Sequence, residues 1–288
     1  VGMKVLERSA GHATGAYNFP TTDVKATAVY TNNIPCGAMR GFGVNQAIFG
    51  LESLLDDLCE QGDFDRWQFR YDNALQDGHM TATGQIIEGG AGVRETLLAV
   101  KDEFYKAKYA GIACGLKNCG IGNGMADFAE VKIEIKSGDH VIIHHGWTEM
   151  GQGVHTVAQQ TLCEETGINP EVIEVNVSTP YEAKAGMTTA SRGTSLVANA
   201  IIRAAKKLKK DLETRSLEQL KGKVYPGRWS FDESTKPGAP GKVITHYSYS
   251  YASQCIVLDD AGRIDVVYAA HDAGKIMNPT LFEGQVQG

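Results

Sequence analysis

Two hydrophobic periods share this chain without a repeating order, and that mixture limits the fold more than any other feature. Alternating Val24, Ala26, Ala28 and Tyr30 mark a strand at 24–30. Further strands are expected at 111–116, 128–135, 141–145, 173–177, 243–258 and 264–270. Helices are expected at 46–59, 64–75, 93–108, 154–166 and 195–220. In the first of these, Ile48, Leu51, Leu54, Leu55 and Leu58 fall on one face. In the last, Val197, Ile201, Ala204, Ala205, Leu208 and Leu212 form a stripe, with Lys206, Lys207, Lys209 and Lys210 opposite as a solvated face. Residues 222–241 read as a Pro/Gly-rich connector, and Asn278-Pro279 as an N-cap followed by the favoured first-turn proline. Because strands and helices do not alternate as βαβ units, the class is α+β. The change of character near residue 110 divides the chain into 1–109 and 110–288.

Composition supports two globular domains and removes several functions. The 288 residues carry 28 Lys+Arg against 34 Asp+Glu, a net charge of −6, with 42% hydrophobic residues. That is neither a disordered chain nor the basic footprint of a nucleic-acid binder. No apolar run approaches the roughly 18 residues of a membrane span, so a soluble protein is expected. Six cysteines, at 36, 59, 114, 119, 163 and 255, are too sparse for a disulfide scaffold and lack zinc-pair spacing. They read as buried free thiols in a reducing cytosol, so a cytoplasmic protein is expected. His144 and His145 should face opposite ways on a strand, and with His140 and His155 they make no helical ligand pair, so no histidine metal site is expected. The first residue is Val1, and Gly288 falls in mid-element, so both ends read as cut.

The chemistry is expected in turns. Gly120-Ile121-Gly122-Asn123-Gly124 imitates a dinucleotide fingerprint, but an alternating strand follows it where phosphate binding needs a helix start. Four other turns do lead into expected helices. They are Ala38-Met39-Arg40-Gly41-Phe42-Gly43, Glu149-Met150-Gly151-Gln152-Gly153, Thr188-Thr189-Ala190-Ser191-Arg192-Gly193-Thr194, and Asn278-Pro279 with Gly284-Gln285 beyond. Helix starts present unpaired N–H groups, and glycine lets a ligand approach the backbone. The pattern fits a long, polar, anionic cofactor gripped by main chain, with Gln152 and Arg40 as side-chain contacts. Four ordinary helix caps would look the same.

At these residues the chain resembles the molybdenum hydroxylases, the xanthine dehydrogenase and aldehyde oxidoreductase family. The turn at 38–43 with Gln46, the run Thr148-Glu149-Met150-Gly151-Gln152-Gly153-Val154-His155-Thr156, residues 188–195, and Asn278-Pro279 through Glu283-Gly284-Gln285 match its cofactor loops in order. The resemblance implies part of a large subunit: two elongated α+β domains with mixed sheets and packed helices, their loops at helix N-termini holding molybdenum-molybdopterin, the cytosine dinucleotide form included. It implies no metal ligand from the protein. Gln152 matches the residue beside the metal, Arg40 and Gly41 its other side, and Gly151, Thr188, Ala190, Ser191 and Gln285 cofactor contacts. Phe42 matches an aromatic stacking on substrate. Arg8 stands at the spacing before Arg40 where purine-oxidising members place a substrate-facing arginine.

The activity implied is hydroxylation of a purine such as xanthine or hypoxanthine with water-derived oxygen. Electrons would leave through 2Fe-2S clusters to FAD on other domains or subunits, since this chain has no cysteine cluster to hold them. A homodimer of the large subunit is expected. Within the family the chain resembles the bacterial purine branch, sometimes described as selenium-dependent. Aldehydes or other N-heterocycles as substrates, a non-catalytic molybdopterin-binding or delivery protein, and a nucleotide-binding module remain open. The family's general-base glutamate lies beyond the fourth loop, so these 288 residues alone are expected not to turn over. Glu149 reads as a buried carboxylate or helix cap rather than a substitute base.

Overall fold

A computed structural model describes residues 2–34, 38–177 and 183–288. Cys36 lies outside the described residues. Along the chain run α1 (Gly2–Gly11), α2 (Val44–Gly62), α3 (Arg66–Asn73), α4 (Val93–Lys106), β1 (Ala110–Cys119), β2 (Asp127–Ser137), β3 (His140–His145) and α5 (Val154–Thr166). They continue with β4 (Ile173–Asn176), α6 (Gly193–Leu212), β5 (Val224–Phe231), β6 (Ser248–Leu258), β7 (Ile264–Asp272) and α7 (Pro279–Gln287). The fold is α+β.

The chain forms two compact units, and neither is continuous in sequence: 1–118 with 235–274, and 119–234 with 275–288. The division expected at 109/110 follows the change in hydrophobic pattern. The units instead follow strand pairing, because β1 neighbours β6 in one sheet.

The first unit holds a three-stranded sheet in the order β1-β6-β7, with β6 and β7 antiparallel. β1 turns Ile112, Cys114 and Leu116 inward at period two, where they join Val93, Leu97 and Val100 of α4 and Tyr251 and Cys255 of β6 in one core. Asp65 starts α3 by accepting the Gln68 N–H at 2.7 Å. Trp67 is buried and donates its indole N–H to the Leu97 carbonyl at 3.0 Å.

Two expectations fail here for physical reasons. The segment 24–30 forms no strand, and its alternating residues lie exposed without a ladder partner among the described residues. On α2, Leu54 and Leu58 are exposed while Glu52 is buried. Glu52 takes that place because Arg70 and Tyr17 donate to its two oxygens at 2.8 and 2.6 Å, and a buried charge so paired is tolerated.

The second unit holds a four-stranded mixed sheet in the order β4-β3-β2-β5. β2 is antiparallel to β3 and β5, and β3 is parallel to β4. Ala129, Val131, Ile133 and Ile135 of β2 share a core with Ala158 and Leu162 of α5 and with the α6 residues Val197, Ile201, Ala204, Ala205 and Leu208. The lysines opposite that stripe are exposed. α6 ends at Leu212 rather than 220, and a 3-10 turn at Glu218–Leu220 follows.

The connector expected at 222–241 contains β5. Its Pro and Gly hide a strand because β5 lies at the sheet edge, where a missing N–H costs little. Gly227 has no side chain there because a Cβ would run into the Ala200 carbonyl and stand 2.8 Å from the Ala204 nitrogen of α6.

Candidate functional site

The turn at 148–153 folds around its own polar groups. Gly151 at φ 98° and Gly153 at φ 80° supply the left-handed conformations that lead into α5. The Gln152 amide is held inside the turn, Oε1 accepting from Met150 N at 2.6 Å and Nε2 donating to the Thr148 carbonyl at 2.8 Å. Glu149 accepts from Gly151 N and Gly153 N at 2.9 Å each through one oxygen, and from His155 N at 3.1 Å through the other. Burial pushes its carboxyl up, but these backbone donors outweigh burial and hold it below the ordinary value. Glu149 is therefore a helix cap. Three N–H groups expected to meet an anionic ligand meet this carboxylate instead.

Beside the turn in sequence stand buried polar groups that no described residue satisfies. His145 Nδ1 accepts the Trp147 backbone N–H at 3.0 Å, which leaves the ring proton on Nε2, and burial lowers that imidazole to about 4. Among the described residues, His145 Nε2, Trp147 Nε1 and His155 Nε2 are buried without a hydrogen-bond partner. Orphaned buried groups are uncommon and call for a partner. His144, on the other side of the strand, meets Glu134 at 2.8 Å.

The turn at 188–194 is held from beneath. Ala190 and Ser191 both adopt left-handed backbone at φ 62° and 51°, a conformation costly to any residue but glycine. The Ala190 carbonyl accepts from Gly120 N at 3.0 Å, the Ser191 carbonyl accepts from the Cys119 thiol at 2.8 Å, and Thr188 Oγ1 accepts from Thr148 N at 3.0 Å. Arg192 is buried, donating to Asp127 at 2.7 Å and to the Met187 carbonyl at 2.6 Å, with its guanidinium 5.1 Å from the centre of the Trp147 ring. Asp127 also receives Ile121 N at 3.0 Å. The Gly120–Gly124 turn thus leads into β2, and a carboxylate pins it.

Asp127 and Arg192 anchor two turns, 120–124 and 188–194, and sequence reading missed them as a pair. Arg192 was visible only as one residue of its turn. Its partner lies far along the chain, and nothing local signals a buried carboxylate at the first residue of a strand.

At the fourth loop Asn278 caps α7, accepting from Leu281 N at 3.0 Å, with Pro279 in the first turn. Gln285 lies in the body of that helix and is exposed, away from the N–H groups of its start.

In the first unit the turn at 38–43 leads into α2 with Gly41 at φ 88°, Phe42 at 51° and Gly43 at 104°. Gly43 supplies no side-chain cap, and a Cβ there would run into the Val5 carbonyl. Ser9 Oγ donates to the Gly43 carbonyl at 2.8 Å. Arg40 is exposed, and its charge, after burial, helps lower the His271 imidazole.

Arg8 donates to His246 Nε2 at 3.1 Å. An arginine cannot accept, so this imidazole stays neutral. Burial first, then the charge of Arg8, pushes it down to about 2. Nearby His12 has both ring nitrogens engaged, with the Arg8 carbonyl at 2.9 Å and the Asn118 N–H at 3.4 Å, and burial lowers it to about 3. The structure therefore places Arg8 in a histidine cluster in one unit, and brings Gly151, Gln152 and Thr188 together in the other.

Two profiles described as molybdopterin cofactor-binding domain match residues 1–74 and 93–224. A probable xanthine dehydrogenase subunit from Bacillus subtilis is 28% identical over 100% of this chain and 45% of its own length. The aldehyde oxidoreductase of Megalodesulfovibrio gigas is 27% identical over 91% of this chain and 29% of its own. The crystal structure of the Desulfovibrio desulfuricans aldehyde oxidoreductase superposes with a TM-score of 0.85 at 22% identity, covering 99% of this chain and 34% of that one. The chain therefore spans less than half the length of these relatives.

Proposed function

The chain belongs to the molybdopterin-binding large subunits of the xanthine dehydrogenase and aldehyde oxidoreductase family, and on that premise we propose that it is the cofactor-binding segment of a hydroxylase acting on purines. One observation carries the cofactor reading. Of the five non-glycine residues with left-handed backbone among the described residues, Phe42, Ala190 and Ser191 lie in turns expected to bind the cofactor. Such conformations persist where surrounding structure enforces them, as at ligand clamps.

The residues present fit the group. Gly151 has open space where a Cβ would stand, so a ligand can reach its backbone. The orphaned His145 and Trp147 nitrogens flank the same turn and offer N–H donors to a polar heterocycle or phosphate. When bound, molybdopterin supplies the metal that activates water and takes up electrons. The protein's part is to hold it. Gln152 is half-buried, and its amide keeps one hydrogen and one lone pair beyond the bonds inside its turn. Thr188, Ala190, Ser191 and Gln285 serve as further contacts in that unit, and Arg40 and Gly41 in the first.

The purine reading rests on Arg8 and Phe42. Arg8 is cationic whatever its neighbour does, so it suits charge developing on a heterocycle. Its bond to His246 favours a second reading, in which that arginine is structural and the substrate is an aldehyde. Iron–sulfur and flavin partners and a homodimeric large subunit complete the proposal.

Metal analysis and the fluorescence of released, oxidised pterin from the full-length protein test the cofactor; their absence defeats it. Turnover of xanthine or hypoxanthine against benzaldehyde tests the substrate, and oxidation of benzaldehyde alone transfers the assignment to aldehydes.

A further inference from the structure

We infer that Glu149 is the positioning residue for Gln152, fixing through three backbone N–H groups the turn that presents this glutamine; the inference rests on Gln152 as a cofactor contact. The Gln152 amide bonds to Met150 N and the Thr148 carbonyl, both inside its own turn. Those bonds exist only while the turn keeps its shape, and the turn contains two left-handed glycines that could adopt many others. Glu149 removes that freedom. One of its oxygens gathers Gly151 N and Gly153 N, on either side of Gln152, and the other ties them to His155 N in the first turn of α5.

The chemistry requires a carboxylate. Three donors converge on two oxygens, both of which must accept. Glutamine would keep one acceptor and turn its NH2 group towards a backbone N–H. Charge-assisted bonds of this kind are also about twice as strong as neutral ones. With both oxygens committed to main chain, Glu149 holds the turn and does not exchange protons with a substrate.

The test compares wild type with Glu149→Gln in the full-length protein. Hydrogen exchange at the amides of Gly151, Gly153 and His155 should rise about tenfold, the equivalent of roughly 1.4 kcal/mol. Pterin content per protein should fall about threefold or more, since binding then has to reorder the turn. The absorption spectrum of the metal centre should change as it does in Gln152→Ala.

Wild-type exchange rates in Glu149→Gln overturn the inference. So does faster exchange with wild-type pterin content and spectrum, which reduces Glu149 to a helix cap. If Glu149→Gln fails to accumulate, Glu149→Asp keeps the charge with a shorter reach, and should show the same losses to a smaller degree; wild-type values there are equally fatal. A wild-type protein without pterin overturns the proposed function itself, a result visible before any variant is made.

Discussion

The turns at 38–43 and 148–153 look alike in sequence, each a glycine-rich run entering a helix, yet they are ordered by different physics. The first is held by packing. Gly43 fits against the Val5 carbonyl because it has no side chain, and its own carbonyl takes the Ser9 hydroxyl. The second is held by charge, with one carboxylate collecting three backbone donors. A glycine pattern therefore states that the backbone must bend, and leaves open what keeps it bent. Conditions that spare one turn should undo the other.

The largest effect is expected from breaking the polar anchoring of the second unit at Arg192. Arg192→Ala leaves Asp127 buried without its cation, a loss of about 3–5 kcal/mol. Urea unfolding of the variant measures it. A loss below about 1 kcal/mol would mean that the pair is not anchoring these turns.

Acid separates the two regions next. A histidine whose folded-state pKa is depressed gives full stability above its unfolded value and loses it as pH falls below that value. His12 and His246 in the first unit, pushed from 6.5 to about 3 and about 2, should each forfeit roughly 2 kcal/mol by about pH 5. The second unit has His145 in this position. Glu149, lowered from 4.5, loses its contribution only as pH falls below that ordinary value. All these imidazoles start from the same ordinary value, so amide exchange followed to about pH 5 should loosen the first unit more than the second; equal loosening contradicts the assignment.

Gly43→Ala attacks the packed turn alone. It places a Cβ on backbone at φ 104° and against the Val5 carbonyl, for a cost of about 1–3 kcal/mol. Denaturant midpoints measure the loss, and exchange protection in the 148–153 turn should stay at its wild-type level.

Much of this was legible locally. The helix expected at 154–166 is observed at those bounds, and Asn278-Pro279 starts α7 as anticipated, because periodicity and capping are written into adjacent residues. What escaped depended on distant partners. β5 was hidden because Pro226 and Gly227 read as loop until an edge position and the α6 backbone account for them. Glu52 looked like a surface residue of α2 until Arg70 and Tyr17 enclosed it. The alternation at 24–30 has no ladder partner among the described residues, and alternation without a partner is not a strand. In the turns, the glycines and the helices they enter were readable, while the capping role of Glu149 took coordinates to establish and the Asp127–Arg192 pair took them to find.

The start of α7 supplies the mildest test of the comparison, because it relies on neither device. Asn278 is an ordinary N-cap, one neutral side-chain bond to Leu281 N at 3.0 Å, and its own amide also donates to Gln160 of α5 at 3.2 Å. Asn278→Ala should therefore cost about 1 kcal/mol, the usual value of a single cap. Exchange at Leu281 should rise with it, while Gly151, Gly153 and His155 stay protected. A loss several-fold larger would mean that the Gln160 contact carries more than the cap. The charge-held start of α5 should resist salt poorly and the α7 start should not respond to it, since screening acts on the carboxylate and not on a neutral amide.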